Sequence, residues 1–505
     1  MRRGGSRPQG GAHNRRVIKQ EKYMKNLSVV RAVCVALCVL MFVACHRRAE
    51  VYTTTAEGDV QRRFALSENV EMQKLTPAEG NYIKLLSDNT LQPIYGFGAA
   101  ITGSTCYNLL KMSEEDREKI LQECFSPDEM AMSFIRISIG ASDFSLDEYT
   151  CCDKEGIEFF ELHEYDRRDL LPILKRILEI NPAIRIVGSP WSCPKWMKIH
   201  HITGEPFDSW TSGMLNPKYY ADYAEYFVRW IGEMEAEGIP IYAITIQNEP
   251  LNHGNSMSLY MGWEQQRDFI RDHLGPEFEK NDIDTKIWLF DHNYNYDGLA
   301  DQQDYPLHIL ADAEAAKYID GSAWHNYGGQ PSTLDGIHAA YPDKEIFFTE
   351  ASIGSWNYNF DGCLVWDFSN IFLGTLNRYG RGVTLWNLIL DDKGAPNRPK
   401  GCRTCYGAIE ISSQTYAYES LDRKSHYYNI AHCSKVIRPD AWCVDVEAAL
   451  PEGVEMAAFV NTDASLAVIA ANHTEEFKKV VVKGAKSEFT LTLPARSIAS
   501  ARWEE

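Results

Sequence analysis

From about residue 93 onward, apolar runs typical of buried strands alternate with helical patterns across roughly 330 residues. Eight such runs end in polar or aromatic residues: 94–102, 134–140, 184–192, 241–249, 286–293, 322–327, 345–350 and 382–388. Strands that alternate with helices predict a closed (β/α)8 barrel, because parallel strands need long crossovers. An open doubly wound sheet would need a Gly-rich phosphate turn after its first strand, and Gly96-Phe-Gly98 lacks the third glycine. The predicted fold class is α/β, with a TIM barrel.

After about residue 430 the chain changes to short strands joined by Gly, Asn, Asp and Pro turns. This spacing predicts an attached antiparallel β-sandwich, and the strand-like segment 51–84, which has no barrel partner, is expected to join it. The predicted organisation is an upstream extension with a signal peptide (1–44), N-terminal sandwich strands (45–92), a catalytic barrel (93–429) and a C-terminal sandwich (430–505).

The N-terminus resembles a bacterial lipoprotein signal. Lys25 and Arg31 precede thirteen apolar residues, 32–44, a run too short to span a bilayer but suited to an export signal. The run ends in Val43-Ala44-Cys45, so Cys45 is the expected site of lipidation. We therefore expect an exported lipoprotein of the outer membrane, on its periplasmic face or at the cell surface. The basic residues 46–48 after Cys45 favour the periplasmic face.

Charge and cysteine content exclude some functions. The formal net charge of −19 argues against binding nucleic acid, whose phosphates need a basic surface. Cys402-Arg-Thr-Cys405 is the only CxxC pattern in the sequence, and it has no second pair and no histidine at zinc-finger spacing. A loop disulfide or two free thiols are expected there, and no metal or cofactor is predicted.

Two of the predicted barrel strands close on a glutamate. Ile244-Thr-Ile-Gln-Asn-Glu-Pro250 and Ile346-Phe-Phe-Thr-Glu-Ala-Ser352 deliver Glu249 and Glu350 to the carboxyl ends of strands four and seven. Each could simply be a polar residue at a strand end. Together at one rim of a barrel, two carboxylates are what glycosidic-bond hydrolysis needs, one as proton donor and the other as nucleophile or base.

Seven motifs in series resemble glycoside hydrolase family 30, which includes glucosylceramidases and microbial β-1,6-glucanases. They are Gly96-Phe-Gly-Ala-Ala-Ile-Thr102, Arg136-Ile-Ser138, Ser142-Asp-Phe-Ser145, Ser189-Pro-Trp-Ser-Cys-Pro-Lys-Trp196, Gln247-Asn-Glu-Pro250, Phe348-Thr-Glu-Ala351 and Leu385-Trp-Asn387. The resemblance runs from about residue 50 to the C-terminus. It implies a barrel fused to a sandwich built from both chain ends, and a retaining double displacement with Glu249 as acid/base and Glu350 as nucleophile.

Further residues match family positions near the bound sugar. The resemblance implies that Asp143 binds hydroxyls, while Trp191 and Trp386 bind the same sugar by stacking and by their ring N–H groups. It also places His325 near the acid/base, although a structural histidine is an alternative interpretation.

Two polar residues are expected to support the carboxylates. Asn248 can hydrogen-bond the sugar 2-OH, a contact that strengthens in the transition state. Arg136 is placed to keep Glu350 ionised, and a structural ion pair inside the barrel is the alternative.

Loop composition favours one substrate within the family. The stretches Gln247-Asn-Glu-Pro-Leu-Asn252 and Asp291-His-Asn-Tyr294 resemble the β-1,6-glucanase branch, and Asn326 stands where glucosylceramidases commonly have Trp. We therefore expect a β-glucan oligo- or polysaccharide as substrate, with a glucosylceramidase or another β-glucosidase as alternative.

A non-catalytic sugar-binding lipoprotein would be expected to lack one carboxylate, and both are present. We expect a monomer that contacts the membrane only through its lipid anchor.

Overall fold

Eight parallel strands form a closed barrel in the computed structural model, which describes Met1 and residues 48–55, 63–295 and 298–505. In chain order the barrel strands are Gly96–Ala100, Phe134–Ile139, Arg185–Pro190, Ala243–Thr245, Lys286–Asn293, Gly321–His325, Glu345–Glu350 and Gly380–Asn387. Each strand pairs with its neighbour in the chain, and the eighth pairs with the first. This confirms the predicted barrel. All eight carboxyl ends therefore meet at one mouth.

Helical crossovers surround the barrel. The α-helices of the described residues are Gly103–Lys111, Glu114–Phe125, Leu171–Ile180, Tyr220–Ala236, Trp263–Phe269, Gly275–Lys280, Tyr305–Leu310, Ala313–Ala316, Thr333–Ala340, Phe360–Asp367, Gly374–Leu376 and Ser425–Ser434. Single turns of tighter or wider helix occur at Ile157–Phe159, Asp166–Leu170, Lys195–Met197, Pro217–Tyr219, Ile270–Leu274, Ala300–Gln302, Phe368–Leu373 and Tyr418–Ser420. Two-residue or three-residue strands in the loops are Lys198–Ile199, Met214–Leu215, Ile353–Gly354, Ile389–Asp391, Cys405–Tyr406, Ile409–Ile411 and Asp422–Arg423.

Both ends of the described chain build the second domain, a sheet of ten strands. Its strands are Arg48–Thr55, Ala65–Glu71, Gln73–Lys74, Tyr82–Ile94, Ala441–Ala449, Val454–Val460, Leu466–Asn472, Lys478–Lys483, Ser487–Leu493 and Ser497–Trp503. Arg48–Thr55 pairs antiparallel with Ser497–Trp503, and Tyr82–Ile94 pairs antiparallel with Ala441–Ala449. The sandwich predicted beside the barrel is thus present.

Aromatic rings fill the barrel below its mouth. The ring of Phe347 lies 4.2 Å from that of Phe134 and 4.9 Å from that of Trp288, measured between centroids, and all three side chains are fully buried. The separation of 4.9 Å is within the range of favourable aromatic pairs, and that of 4.2 Å is slightly shorter. A substrate must therefore reach the barrel from the side of the strand ends.

Six of the eight barrel strands have bounds that differ from the sequence prediction, and the fourth and first show the largest differences. The fourth barrel strand ends at Thr245 instead of continuing to Glu249, whose φ is +46°. The amide of Glu249 donates to the carbonyl oxygen of Asp291 at 3.0 Å, so the segment stays bonded to the fifth strand although its backbone is no longer extended. The first barrel strand begins at Gly96 instead of residue 94, because Ile94 still pairs with Ala441 of the sandwich.

The expected export segment, including Cys45, lies outside the described residues. Of the helices in the described ranges, none combines the length and the hydropathy needed to cross a bilayer.

Candidate active site

Glu350 lies at the end of the seventh barrel strand and is held by two donors. Arg136 Nη1 donates to its Oε2 at 2.6 Å, and the hydroxyl of Tyr327 donates to its Oε1 at 3.0 Å. The residue is 6% exposed. Both carboxylate oxygens are thus fixed in direction by hydrogen bonds, as a nucleophile requires.

Glu249 approaches from the loop after the fourth strand. Asn252 Nδ2 donates to its Oε2 at 2.6 Å, and His325 Nδ1 lies 3.4 Å from its Oε1. Since Asn252 is only three residues further along the chain, the turn after the short fourth strand also positions the carboxylate. Glu249 is 7% exposed, so the group is sheltered and still reachable from the mouth.

The two carboxylates face each other at short range. Ligand atoms of Glu249, Glu350 and His325 all lie within 4.8 Å of one another. Retaining glycosidases hold their carboxyl groups about 5–5.5 Å apart, whereas inverting enzymes need roughly 6.5–9.5 Å to admit a water. The spacing therefore favours direct attack by a carboxylate. A cation could also fit these three ligands, but the guanidinium of Arg136 already supplies positive charge to Glu350.

Arg136 connects most of the polar groups beneath the site. It is fully buried, and its Nη2 donates to Asn248 Oδ1 and to Asp291 Oδ2, both at 2.7 Å. Thr245 and Thr349 donate their hydroxyl hydrogens to the Asp291 carboxylate at 2.7 and 2.6 Å. Burial opposes the charge of Asp291, but the guanidinium of Arg136 and the other donors lower the pKa of this carboxyl far below its usual range. Asp291 is therefore a permanent anion that balances Arg136.

Charges and hydrogen bonds shift the pKa values of His325, Glu249 and Glu350. Burial alone would lower the pKa of His325, but the charge of Glu350 and hydrogen bonds with Asp291 and Glu249 raise it to about 9. Burial disfavours the charged form of Glu249, yet the hydrogen bond with His325 and the nearby histidine charges lower its pKa to about 2. Burial raises the pKa of Glu350 above its ordinary value, against the influence of His325 and Arg136. These shifts favour a protonated His325 beside an ionised Glu249.

His325 makes the stability of the fold depend on pH. A pKa raised from 6.5 to about 9 means that the protonated imidazole stabilises the folded state. This contribution is complete below pH 6.5 and is lost as the pH rises through 9. We expect the free energy of unfolding of the wild type, relative to His325→Gln, to fall between these pH values. Urea unfolding of both proteins at several pH values measures it, and a difference that stays constant or grows with pH would contradict the expectation.

Two stacked indoles form a wall beside the carboxylates. The rings of Trp191 and Trp386 lie 5.1 Å apart with an angle of 22° between their planes. The guanidinium carbon of Arg136 lies 4.8 Å from the Trp191 ring centroid and 5.4 Å from that of Trp386. Cation–π contacts of this kind fix the rings in orientation. Both predicted tryptophans therefore lie against Arg136, the cationic partner of Glu350.

Asp143 lies under a loop closed by a disulfide. Cys402 and Cys405 are bonded to each other, which resolves the alternatives left open by the sequence. The amide of Cys402 donates to Asp143 Oδ2 at 3.4 Å, and the amide of Arg398 donates to the carbonyl oxygen of Asp143 at 2.7 Å. Burial, assisted by the charge of Glu350, raises the pKa of Asp143 to about 8. At neutral pH the carboxyl can therefore both donate and accept hydrogen bonds.

The structure thus brings together Glu249, Glu350, Asn248, Arg136 and His325 and sets Asp143, Trp191 and Trp386 beside them. Sequence reasoning missed the roles of Asp291 and Tyr327 in this network. Asp291 carries the same signal as the two glutamates, an acid near the end of an apolar strand. Tyr327 is two residues beyond His325, the spacing that points two side chains to the same side of an extended chain.

Comparison with known families agrees with this arrangement. Residues 94–437 match the glycosyl hydrolase family 30 TIM-barrel domain, and residues 440–501 match the glycosyl hydrolase family 30 beta sandwich domain. An endo-1,6-beta-D-glucanase of Trichoderma harzianum is 30% identical over 75% of this chain and 78% of its own length. The lysosomal acid glucosylceramidase of Mus musculus is 26% identical over 90% of this chain and 88% of its own length.

A solved structure is also similar throughout. The endo-beta1,6-glucanase BT3312 superposes with a TM-score of 0.86 and 48% identity, covering 91% of this chain and 99% of that one. With both domain models matched across most of its length, this chain is a glycoside hydrolase and belongs to glycosyl hydrolase family 30.

Proposed function

We propose that this protein hydrolyses β-1,6-linked glucan with retention of configuration, using Glu350 as nucleophile and Glu249 as acid/base. The observation that carries the mechanism is the spacing of the two carboxylates, whose nearest ligand atoms lie within 4.8 Å. The resemblance of the surrounding motifs to family 30 supports these two roles. The groups that contact each carboxylate are consistent with them. Glu350 has Arg136 as a cationic partner, whereas Glu249 faces His325, a group that can hold and return a proton.

The first step forms a covalent intermediate. A Glu350 oxygen attacks the anomeric carbon, while the bond from that carbon to the glycosidic oxygen breaks. Glu249 gives its proton to the departing oxygen, and it can take this proton from His325, whose Nδ1 lies 3.4 Å from Glu249 Oε1. In the second step Glu249 removes a proton from water, the water oxygen attacks the anomeric carbon, and Glu350 leaves as a carboxylate.

Formation of the ester on Glu350 should help the proton to move from His325 to Glu249. The charge of Glu350 is the foremost influence that raises the pKa of His325. As the glycosyl ester forms, that charge disappears and the pKa of His325 falls, so His325 releases its proton more readily toward Glu249. The Oδ1 of Asn248 is already engaged by Arg136, which leaves the Nδ2 amino group for the sugar 2-OH.

Loop polarity and the relatives support β-1,6-glucan as the substrate. The loop after Glu249, Leu251-Asn-His-Gly-Asn-Ser-Met-Ser258, is mostly polar and small, whereas a ceramide tail would need a continuous apolar surface. The relatives that share 48% and 30% identity are named endo-β-1,6-glucanases, and the mouse glucosylceramidase shares 26%. Their names make internal cleavage of the glucan the expected mode.

Parallel kinetics on two substrates test this proposal. We expect kcat/KM on the β-1,6-glucan pustulan to exceed that on a short-chain glucosylceramide, with oligosaccharides among the early products. A Glu350→Gln preparation serves as the control for contaminating activity. A higher kcat/KM on the lipid would make glucosylceramidase the correct function, and release of glucose alone would exclude internal cleavage.

We also propose that the protein is exported and anchored by a lipid on Cys45, on the periplasmic face of the outer membrane. The sequence pattern before Cys45 supports this, and the residues concerned lie outside the described ranges. Globomycin should block maturation, and mass spectrometry should find a diacylated Cys45 at the mature N-terminus. Cys45→Ala should release an unlipidated protein, whereas an unmodified soluble product from the wild type would refute the anchor.

A further inference from the structure

Lys198, in the loop after the third barrel strand, carries a buried ammonium group. Lys198 is 2% exposed, and its Nζ donates to the carbonyl oxygens of Ser209, Ser212 and Ser258 at 2.9–3.0 Å. The carbonyl oxygen of Trp210 lies further away, at 3.5 Å. Burial lowers the pKa of Lys198 to about 8. The three shortest hydrogen bonds of the ammonium all go to backbone carbonyl oxygens.

These carbonyl groups belong to two different loops at the mouth. Ser209 and Ser212 lie in the loop after the third barrel strand, whereas Ser258 lies in the loop that begins at Glu249. The amide of Ser212 also donates to Ser258 Oγ at 3.0 Å, and the amide of Ser258 donates to the carbonyl oxygen of Trp210 at 3.0 Å. An ammonium group has three donors that can point in different directions, so one lysine can join both loops.

Each loop carries a side chain that lies in or packs against the apolar cluster of Trp191 and Trp386. Met257, next to Ser258, is buried in the same apolar cluster as Trp191 and Trp386, and Trp210 packs against that cluster. A shift of either loop would move Met257 or Trp210 and so change the packing around the paired indoles. Because the paired indoles bind the sugar in the proposed function, a loss of their support should weaken the binding of substrate.

We propose that Lys198 is a positioning residue, which joins the loop after strand three to the loop after Glu249 and so keeps Trp210 and Met257 against Trp191 and Trp386. This inference rests on the proposed role of the two tryptophans in sugar binding. Lys198 would thus contribute to substrate affinity. Its ammonium bonds to backbone carbonyl oxygens and is not part of the carboxylate network.

The test compares two buried lysines. Lys198→Met keeps the length of the side chain and removes its charge and donors. Lys483→Met is the matched control, because Lys483 is 3% exposed and binds Thr76 and Glu488 within the sandwich. Kinetics are measured on a nitrophenyl β-glucoside and on pustulan, and rates are expressed per active site titrated with a 2-deoxy-2-fluoro-glucoside inactivator. Lys198→Gln, which keeps two N–H donors, is the second variant in case the first does not fold.

We expect Lys198→Met to raise KM by between about 10- and 100-fold on any β-glucoside that the wild type cleaves, with kcat per titrated site changed less than about threefold. Lys198→Gln should fall between it and the wild type, and Lys483→Met should lower stability while leaving KM unchanged. A KM within twofold of the wild type in both Lys198 variants would overturn the proposal, as would the absence of any titratable site in both. If the wild type fails on pustulan but cleaves the aryl glucoside, the proposed substrate is wrong and this comparison still decides the role of Lys198.

Discussion

Glu350→Gln should lower kcat by about 10⁴-fold or more, because an amide cannot form the glycosyl ester and no other carboxylate in the site can replace it. Gln preserves the volume of the side chain and can still meet Tyr327, so the fold should survive. Stopped or discontinuous assays with a nitrophenyl β-glucoside measure the loss. Circular dichroism and the melting temperature provide the control for folding.

Glu249→Ala should behave differently with different leaving groups. A glucoside whose leaving group needs no proton should still form the intermediate, which then accumulates because the base for water is missing. Azide, a nucleophile that needs no base, should restore turnover and yield a β-glucosyl azide. Full activity in either variant, or azide rescue of Glu350→Gln in place of Glu249→Ala, would contradict the assignment of roles.

Arg136→Met should lower both activity and stability. Removing the guanidinium leaves the buried carboxylates of Asp291 and Glu350 with His325 as their remaining cationic neighbour, and breaking a buried ion pair in this way costs about 3–5 kcal/mol. Activity should fall by about 10²-fold or more, because Glu350 loses a donor and Asn248 loses its fixed orientation. Urea unfolding and kinetics per titrated active site measure the two effects separately.

The double variant Arg136→Met/Asp291→Asn provides the control for the charge argument. It removes one of the two carboxylates that would otherwise lack the guanidinium, so part of the lost stability should return while activity stays low. If Arg136→Met keeps the stability and activity of the wild type, Arg136 has neither the structural nor the supporting role that its contacts indicate.

The sequence predicted the barrel because the pattern is local. Each buried strand shows as an apolar run of its own, and eight in alternation with helices leave few other folds. Glu350 was placed correctly at the end of its strand for the same reason. Beyond the early end of the fourth strand, Glu249 has a positive φ and bonds to Asp291, a residue distant in the chain, and no local pattern contains that information.

The supporting groups of the site were harder to predict. Asp291 and Tyr327 act through contacts that exist only once several strands meet at the mouth, and each alone resembles an ordinary polar residue near a strand end. Lys198 is the clearest example of a residue whose role could not be predicted from the sequence. A lysine between apolar residues is normally a solvated surface group, and only the folded loops bring three backbone carbonyl oxygens to within 3.0 Å of its nitrogen.

Trapping the covalent intermediate tests the central claim most directly. The wild type is incubated with 2-deoxy-2-fluoro-β-glucosyl fluoride, digested with a protease, and its peptides are sequenced by mass spectrometry. The retaining mechanism predicts one fluoroglucosyl group per protein, on Glu350 within Ile346-Phe-Phe-Thr-Glu-Ala-Ser352. A label on Glu249 or on another carboxylate, or inhibition without any covalent label, would contradict it.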